Sequence, residues 1–446
     1  AAANTAIPAF YGYKEQLAEV EKYLQDDKLG IDIFALRKNS PDNSNKEEFI
    51  APVNHSSFKI NANDVLTADV VITNKNIGHS FPPELRDFYE AYVEFTVSDA
   101  NDKILYKSGY IKPDGYLDEY AHNYKTYLVK PDGSPNEFHY IWQTRVIPQN
   151  LAIPSGRSDV ARYQFTVPVN LQGQIKLTAK LKYRRFTRIF SDYALGKSTD
   201  LPNVTMAATK KDLNIGDNSA ESANPKAVPD WKRWNNYGIA LFDQRQFAAA
   251  ADAFAKVADL DEKYRPFALT NRALAFMEID RWDEARKLID KALTLDAKNY
   301  RALFQRGRIN RVEGDLTDAE MDFRAVNAAY PRDRLTLQQL GELAKIKRDF
   351  PSAQNFFEQI LAIDPEDTGA HYNMMLIYSK LNRKDDALRE QKIFADLKDD
   401  PRTTALASDF LQRNKAVGRR SLPYYVNVLQ PFQEKWEILN PLAFLR

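Results

Sequence analysis

The sequence predicts a multidomain α+β chain, in which an N-terminal antiparallel β-sandwich is followed by an all-α solenoid of five repeats. Two observations carry this prediction. Alanines recur at a step of about 34 residues through the second half, and short stretches of alternating apolar and polar residues fill the first half. At 446 residues the chain exceeds the size at which one hydrophobic core stays efficient, so we expect two or three domains.

Composition excludes several classes of function. The 62 Lys and Arg residues balance 61 Asp and Glu residues, so no global field attracts nucleic acid. The chain has no cysteine, which excludes disulfides, thiolate catalysis, cysteine zinc sites and covalent attachment of haem c within it. No apolar run reaches the roughly 18 residues that span a bilayer. The start at Ala1, without a Met-initiated leader, predicts a processed or truncated end.

Three residue series define the repeats. The first consists of Ala250, Ala285, Ala319, Ala353 and Ala387. The second keeps the same step twelve residues earlier, where a small side chain lets two helices approach. It consists of Gly238, Ala273, Gly307, Gly341 and Met375, and only Met375 breaks the pattern of small residues. The third lies four residues after each alanine and supplies a large packing residue. It consists of Phe254, Ile289, Phe323, Phe357 and Gln391, of which Gln391 is the exception. Together these series predict five helical hairpins.

On these series, residues 231–400 resemble tetratricopeptide repeats. The resemblance implies that the first helix of each hairpin lines a concave surface, which binds a protein partner. The residues expected on that surface are Lys232, Asn235, Phe267, Arg301, Phe304, Arg308, Arg311, Lys345 and Tyr372. A further helix at 403–413 is expected to cap the stack, within a last segment, 401–446, that ends in an aromatic tail.

The predicted concave surface is basic, with aromatic walls. Arginine pairs bidentately with carboxylates, so this surface suits an acidic peptide or a C-terminal carboxylate. The alternative is a solvated face, on which the arginines pair with Glu313, Glu320 or Glu342.

The first half predicts strands at 64–73, 91–98, 160–167 and 174–183, separated by turn sequences. We therefore expect a β-sandwich over 50–196, preceded by a helical and extended segment at 1–49 with a helix from Tyr13 to Leu29. Residues 197–230 contain several Asn, Gly and Pro residues and are predicted to be a linker into the repeats.

The loop GHSFPPELRD, from Gly78 to Asp87, is the most unusual segment. With the stretches at 105–109, 118–122 and 183–186 and the opening at 3–8 and 31–36, it resembles the β-domain that accompanies multihaem c-type cytochromes carrying tetratricopeptide repeats. The resemblance implies a periplasmic or extracellular location. Because this chain lacks every Cys-x-x-Cys-His site of that family, haem c would be carried by a partner chain or by an upstream segment.

Residues implied to contact such a haem are His79, Phe81, Arg86, His122, Arg184 and Arg185. His79 is the candidate axial ligand, because neutral imidazole binds iron well. The structural alternative places Phe81 in the sandwich core, with His79 bonded to its own loop. The arginines suit haem propionates, and solvated charge is the alternative.

Neither a metal site nor a catalytic site is predicted. Asp118 and His122 are four residues apart, but two ligands make a weak metal site, and a structural His–Asp hydrogen bond is the alternative. The carboxylates of the 84–90 loop lack a partner across a cleft, so we interpret them as a charged rim.

The leading hypothesis is therefore a non-enzymatic scaffold in a multihaem cytochrome electron-transfer assembly, whose repeats recruit a protein partner or a neighbouring copy. The first alternative is a general peptide-binding adaptor unrelated to haem. A hydrolytic or metal enzyme in the β-domain is the least supported. The aromatic tail at 421–446 is expected either to pack on the repeats or to insert into a neighbouring chain.

Overall fold

The computed structural model describes residues 4–41, 47–83, 87–196, 200–221, 227–398 and 400–432. Two compact units divide the chain. The sheet unit comprises residues 1–229, 239–246 and 404–446, and the repeat unit comprises residues 230–238 and 247–403. A mostly-sheet region followed by a series of helices was the coarse prediction, and it is confirmed. Within the described ranges, no helix combines the length and apolarity needed to cross a membrane.

Among its described residues, the sheet unit contains two five-stranded sheets. The first has the strand order β14-β10-β4-β1-β2, and its strands are β1 (Leu29–Asn39), β2 (Glu48–Ile50), β4 (Val65–Asn74), β10 (Ser158–Thr166) and β14 (Asn427–Val428). The second has the order β12-β11-β5-β6, and its strands are β5 (Glu90–Asp99), β6 (Ile104–Ser108), β11 (Gln174–Arg184) and β12 (Asn203–Asn214). The fifth strand of this sheet, β7 (His122–Asn123), pairs with β5.

Shorter elements complete the sheet unit. They are α1 (Ala6–Tyr11), α2 (Lys14–Gln25), β3 (Phe58–Ile60), β8 (Thr126–Val129), β9 (Val146–Asn150), α3 (Arg188–Leu195) and β13 (Gly216–Asn218). β3 pairs with β13, and β8 pairs with β9.

One hydrophobic cluster receives side chains from both main sheets. In β11 the apolar residues are buried and the lysines between them are partly exposed, as a strand with one covered face requires. Phe95 of β5 stacks on Tyr163 of β10 with ring centroids 4.3 Å apart, so the two sheets share this contact. The narrower description of this unit as a β-sandwich stays a prediction.

Three predicted boundaries are wrong. β1 begins at Leu29, where the sequence predicted the end of a helix, because residues 29–39 pair along β4 over most of their length. Residues 203–214, predicted as linker, form β12 beside β11, with Val204, Met206 and Leu213 buried. The predicted start of the β region at residue 50 is therefore too late, and its end at 196 too early.

The repeat unit is built from helical hairpins, and residues 239–243 of its first helix group with the sheet unit. The helices are α4 (Asp230–Asp243), α5 (Phe247–Leu260), α6 (Arg265–Met277), α7 (Trp282–Leu295), α8 (Tyr300–Glu313), α9 (Leu316–Ala329), α10 (Arg334–Ile346), α11 (Phe350–Ile363), α12 (Thr368–Lys380) and α13 (Lys384–Leu397). Side chains of Asn299, Asp333, Asp349 and Asp367 accept hydrogen bonds from first-turn backbone N–H groups. These caps fix where α8, α10, α11 and α12 begin.

The small-residue series has the predicted role. A Cβ added at Gly307 would lie 2.7 Å from the ring of Phe323, and one added at Gly238 or Gly341 would lie 2.8 Å from Phe254 or Phe357. Glycine is required there because the phenylalanine sixteen residues later fills the space a side chain would need.

The last part of the chain groups with the sheet unit, although a cap on the repeats was expected there. α14 (Pro401–Arg413) forms as predicted, but residues from 404 onward belong to the sheet unit. The ring of buried Phe410 lies 6.3 Å from that of Tyr127, so apolar burial against the sheet unit accounts for the difference. After α15 (Lys415–Gly418), the chain joins the first sheet through β14. Of the aromatic tail, residues 433–446 lie outside the described residues.

Candidate functional sites

The predicted partner-binding residues fall at four equivalent positions of the repeats. In α8 these positions are Arg301, Phe304, Arg308 and Arg311, spaced by three or four residues, which places them on one face of the helix. The other five predicted residues occupy the same positions in α4, α6, α10 and α12. We call this face the repeat stripe. Its assignment to a partner stays a prediction.

Exposure varies along the repeat stripe. Phe267 is 45% exposed and Tyr372 is 42% exposed, which is unusual for large apolar or aromatic side chains. Lys232 and Arg301 are also exposed, whereas Asn235, Phe304, Arg308, Arg311 and Lys345 are half-buried. The stripe therefore presents aromatic surface beside cations that are partly withdrawn from water.

Burial and mutual repulsion act on two arginines in the middle of the stripe, Arg308 and Arg311. Burial lowers the pKa of Arg308, the charge of Arg311 lowers it further, and Glu278 opposes both effects. Arg308 Nη1 donates to Gln305 Oε1 at 2.9 Å. The buried Nε of Arg311 has no hydrogen-bond partner among the described residues.

The predicted neutralising acids mostly pair elsewhere. Glu313 pairs with Arg286, and Glu320 pairs with Arg324 and Lys347. Only Glu342 pairs with a cation of the stripe, Lys345, at 3.0 Å. The alternative of a self-neutralised face therefore holds for Lys345 but is contradicted for Glu313 and Glu320.

A second series on the same side of these helices was missed. Two residues before each small residue stands an amide: Asn236, Asn271, Gln305, Gln339 and Asn373. Each amide can donate and accept, as a peptide backbone requires. Gln339 Oε1 is buried without a hydrogen-bond partner in the described chain, and Asn373 Oδ1 accepts from Lys345. The 34-residue step that revealed the alanines also marks this amide ladder.

An open pocket of about 800 Å³ adjoins the stripe at α8. Its apolar wall includes Tyr300, Phe304, Val326, Tyr330 and Leu335, and Arg301 and Arg332 lie among its lining residues. Tyr330 is 55% exposed and Leu335 is 61% exposed. A pocket of this size accommodates a large apolar side chain, and the arginines favour a neighbouring carboxylate.

In the sheet unit, His79 and Phe81 point to different environments. The His79 side chain is exposed, with Nδ1 2.9 Å from the carbonyl oxygen of Ser80, whereas Phe81 is buried in the core near Tyr124. Both placements agree with the structural alternative. The predicted Arg86 lies outside the described residues.

Arg184 is engaged within the sheet unit. Its guanidinium pairs with Glu90, and its Nη1 donates to the carbonyl oxygen of Gly115 at 2.9 Å. Burial raises the pKa of Glu90, and the charge of Arg184 opposes that shift. Arg185 lies over the ring of Tyr89 at 4.4 Å. The geometry gives Arg184 a structural role, and haem contact by either arginine stays a prediction.

The Asp118–His122 pair does not form. Asp118 accepts hydrogen bonds from the backbone N–H groups of Gly109 and Tyr120, both at 3.0 Å. His122 Nε2 instead lies 2.7 Å from Asp159 Oδ2 on β10. Within the described residues, no three His, Cys, Asp or Glu side chains converge as metal ligands.

His122 is the centre of a buried polar cluster. It is 0% exposed, and its Nδ1 bonds to the hydroxyl of Tyr425. Burial and the adjacent Arg420 lower the pKa of His122 to about 4, so its ring is neutral at neutral pH. Burial opposes ionisation of Asp159, but hydrogen bonds from His122 and Gln244 and the charge of Arg420 hold its pKa below the ordinary value. Sequence reasoning missed Asp159, Arg420 and Tyr425, because they are distant in the chain.

Residues 270–334 match the family model described as tetratricopeptide repeat. Among solved structures, the chain is similar to MamA, residue 41 to the end, from Desulfovibrio magneticus RS-1, with 19% identity over 38% of this chain and 97% of that chain and a TM-score of 0.35. It is also similar to Pseudomonas aeruginosa pilF, with 16% identity over 43% of this chain and 88% of that chain and a TM-score of 0.36. It is similar as well to the APC/C hetero-tetramer Cut9–Hcn1, with 20% identity over 42% of this chain and 40% of that chain and a TM-score of 0.34. The family match confirms the repeat assignment within residues 270–334.

Proposed function

We propose that this chain is a non-enzymatic scaffold whose tetratricopeptide repeats bind an extended, acidic segment of another protein. The observation that carries the proposal is the repeat stripe, where half-buried arginines lie beside an amide ladder that continues through five repeats. Tetratricopeptide repeats mediate protein–protein interaction, which agrees with this proposal.

Electrostatics favours an acidic partner. Arg308 and Arg311 repel each other and are partly desolvated, so a carboxylate placed between them would regain interaction that water no longer supplies.

The pocket beside α8 supports the same proposal. An aromatic or aliphatic side chain of the bound segment would fill the space bounded by Phe304, Tyr330 and Leu335. Exposed aromatic surface of this kind supplies much of the affinity at protein interfaces, and the amide ladder would hold the backbone in register.

We further propose that the assembly is a multihaem cytochrome electron-transfer assembly in the periplasm or outside the cell. Haem c would be carried by a partner chain or an upstream segment. Support comes from the resemblance of the 78–87 loop and from the exposed ring of His79, which is open to a neighbouring group. The internal pairing of Arg184 favours the alternative of a peptide-binding adaptor unrelated to haem.

Peptide binding tests the repeat proposal. A fluorescent library of twelve-residue peptides, each with one aromatic residue and several Asp or Glu residues, would be titrated against the full chain. The matched library has Asn or Gln in place of each acid. We expect binding of the acidic library only, and we expect Arg311→Glu to weaken it at least about tenfold, since a charge-assisted hydrogen bond is lost and repulsion is added.

The control is Arg324→Glu, which makes the same charge change on α9, the second helix of its repeat, at a side chain that is 59% exposed. It should leave the affinity unchanged. Equal binding of both libraries, or equal loss from both variants, would contradict an acidic segment in the stripe.

Absorbance spectra test the haem proposal. The assembly purified from its source would be recorded oxidised and reduced, with intact masses of all its chains. A Soret band with sharp reduced α and β bands, together with a haem-bearing chain in the masses, is the expected result. A haem-free assembly holding another tightly bound polypeptide would favour the adaptor.

A further inference from the structure

Residues 419–432 run along the edge of the first sheet, and we call them the strap. Within the strap, β14 pairs in parallel with β10, in the register Tyr163 with Asn427 and Gln164 with Val428. The N–H of Leu429 donates to the carbonyl oxygen of Gln164 at 2.8 Å. β10 is otherwise the last strand of its sheet, so the strap covers backbone groups that would form an open edge.

A polar pocket receives one arginine of the strap. The Arg420 side chain is 5% exposed, and its Nη1 donates to the carbonyl oxygen of Asn123. Its Nη2 lies 2.9 Å from His122 Nε2 and 3.5 Å from Asp159 Oδ2. Because the cation sits beside a carboxylate and a carbonyl oxygen, the pocket is matched to a guanidinium.

Two further strap residues are anchored. The Tyr425 hydroxyl bonds to His122 Nδ1, and Asn427 Nδ2 donates to the carbonyl oxygen of Arg162 at 3.0 Å. Leu422 is 56% exposed and Val428 is 61% exposed, whereas Leu429 is buried in the core and the N–H of Phe432 donates to the carbonyl oxygen of Leu105. Peptides that add a strand to a sheet edge are held in this way, by backbone hydrogen bonds to the edge and by alternate side chains that enter pockets.

The strap interface combines several polar contacts with one buried apolar side chain, Leu429. When the strap leaves, Asp159, His122 and the β10 backbone gain water in place of their partners, and Leu429 is withdrawn from the hydrophobic cluster. Such an interface can be vacated at lower cost than an apolar one of equal size. Each copy of the chain also carries one strap and one site, so exchange between two copies preserves every contact.

We propose that the β10 edge and the Asp159–His122 pocket form a strand-addition site for an extended segment with an arginine followed five residues later by a tyrosine. The strap of a second copy of this chain is the occupant when the chain's own strap is displaced. This site is separate from the repeat stripe, and its use does not depend on haem or on an acidic partner.

A peptide titration tests the site. The full chain carrying Arg420→Gln and Tyr425→Phe has a weakened strap, and it is titrated with a labelled peptide of residues 419–432. We expect it to bind at least about tenfold more tightly than the unaltered chain, in which the tethered strap competes. A peptide carrying the same two substitutions should lose this binding. If the double variant is not folded by circular dichroism, Tyr425→Phe alone takes its place. Absence of peptide binding by the folded variant overturns the site.

Crosslinking tests the second copy, and the lack of native cysteine makes it unambiguous. A Gln164→Cys chain is mixed with a Val428→Cys chain and treated with a short bismaleimide. These residues are register partners, so strap exchange should give a heterodimer. The control pairs Gln164→Cys with Met321→Cys, another exposed position, in the repeat unit. Equal crosslinking of both mixtures shows that a second copy does not occupy the site.

Discussion

His122 and Arg184 both bond to carboxylates inside the sheet unit, yet they hold different charge states. His122 Nε2 lies 2.7 Å from Asp159 Oδ2 and 2.9 Å from Arg420 Nη2, so a carboxylate and a guanidinium meet at one ring nitrogen. The ring is neutral because burial and Arg420 lower its pKa, and its Nδ1 bonds to the Tyr425 hydroxyl. Arg184 keeps its charge, which balances that of Glu90.

The low pKa of His122 makes stability depend on pH. Its pKa is about 4 in the folded chain against 6.5 for the ordinary residue, so the unfolded chain binds more protons between these values. Stability should therefore fall as the pH drops from 6.5 to 4, by about 3 kcal/mol from this residue. Urea unfolding at several pH values should show a flatter dependence for His122→Gln. The exposed His79→Gln should retain the slope of the unaltered chain, and an equal slope in all three proteins would contradict the assignment.

Arg184 should be essential to stability even without haem. Arg184→Met leaves Glu90 buried without its partner, and we expect a loss of about 3–5 kcal/mol in the free energy of unfolding. Adding Glu90→Leu should recover much of that loss. Lys176→Met, which breaks the ion pair with the largely exposed Asp102, is the control and should change stability little. A small effect of Arg184→Met in urea unfolding would argue that the arginine acts outside the chain.

At the scale of elements, the repeats match small and large residues across each hairpin. Gly238, Gly307 and Gly341 are each followed sixteen residues later by phenylalanine, whereas Ala273 is followed by Ile289. Where the first position gains a methyl group, the second has a smaller side chain. This compensation is expected of a close-packed interior, because volume must be conserved across the contact.

Gly307→Ala should destabilise the repeat unit by about 1 kcal/mol, since overpacking against Phe323 exceeds the gain in helix propensity. The double variant Gly307→Ala with Phe323→Ile reproduces the pair found in the second repeat. Its loss should be smaller than the sum of the two single losses, measured by thermal unfolding in a double-mutant cycle. Additive losses would mean that the two positions do not share one space.

Element by element, the sequence predicted the helices better than the strands. The helices repeat at a fixed step, so each hairpin supports the assignment of the next. Residues 203–214 were missed because Asn203 and Asn214 resembled turn residues, while the burial of β12 depends on pairing with β11. The His122 cluster was missed for a similar reason, since Asp159, Arg420 and Tyr425 meet only through the sheet.

At the scale of the whole molecule, two units with separate cores should unfold separately. Calorimetry of the full chain should resolve two transitions. Gly307→Ala should lower only the transition of the repeat unit, by about 2–4 °C, and His122→Gln should lower only that of the sheet unit. One shared transition, shifted by both variants, would show that the units unfold together.

The strap is also synthesised long after the strand edge that it covers. Asn427 bonds to Arg162, which is made 265 residues earlier. At a translation rate of roughly 5–20 residues per second, the nascent β10 edge stays uncovered for about 10–50 s while all five helical hairpins emerge from the ribosome. Neighbouring ribosomes on one messenger would therefore carry open edges and finished straps side by side, which favours the pairing of chains during their own synthesis.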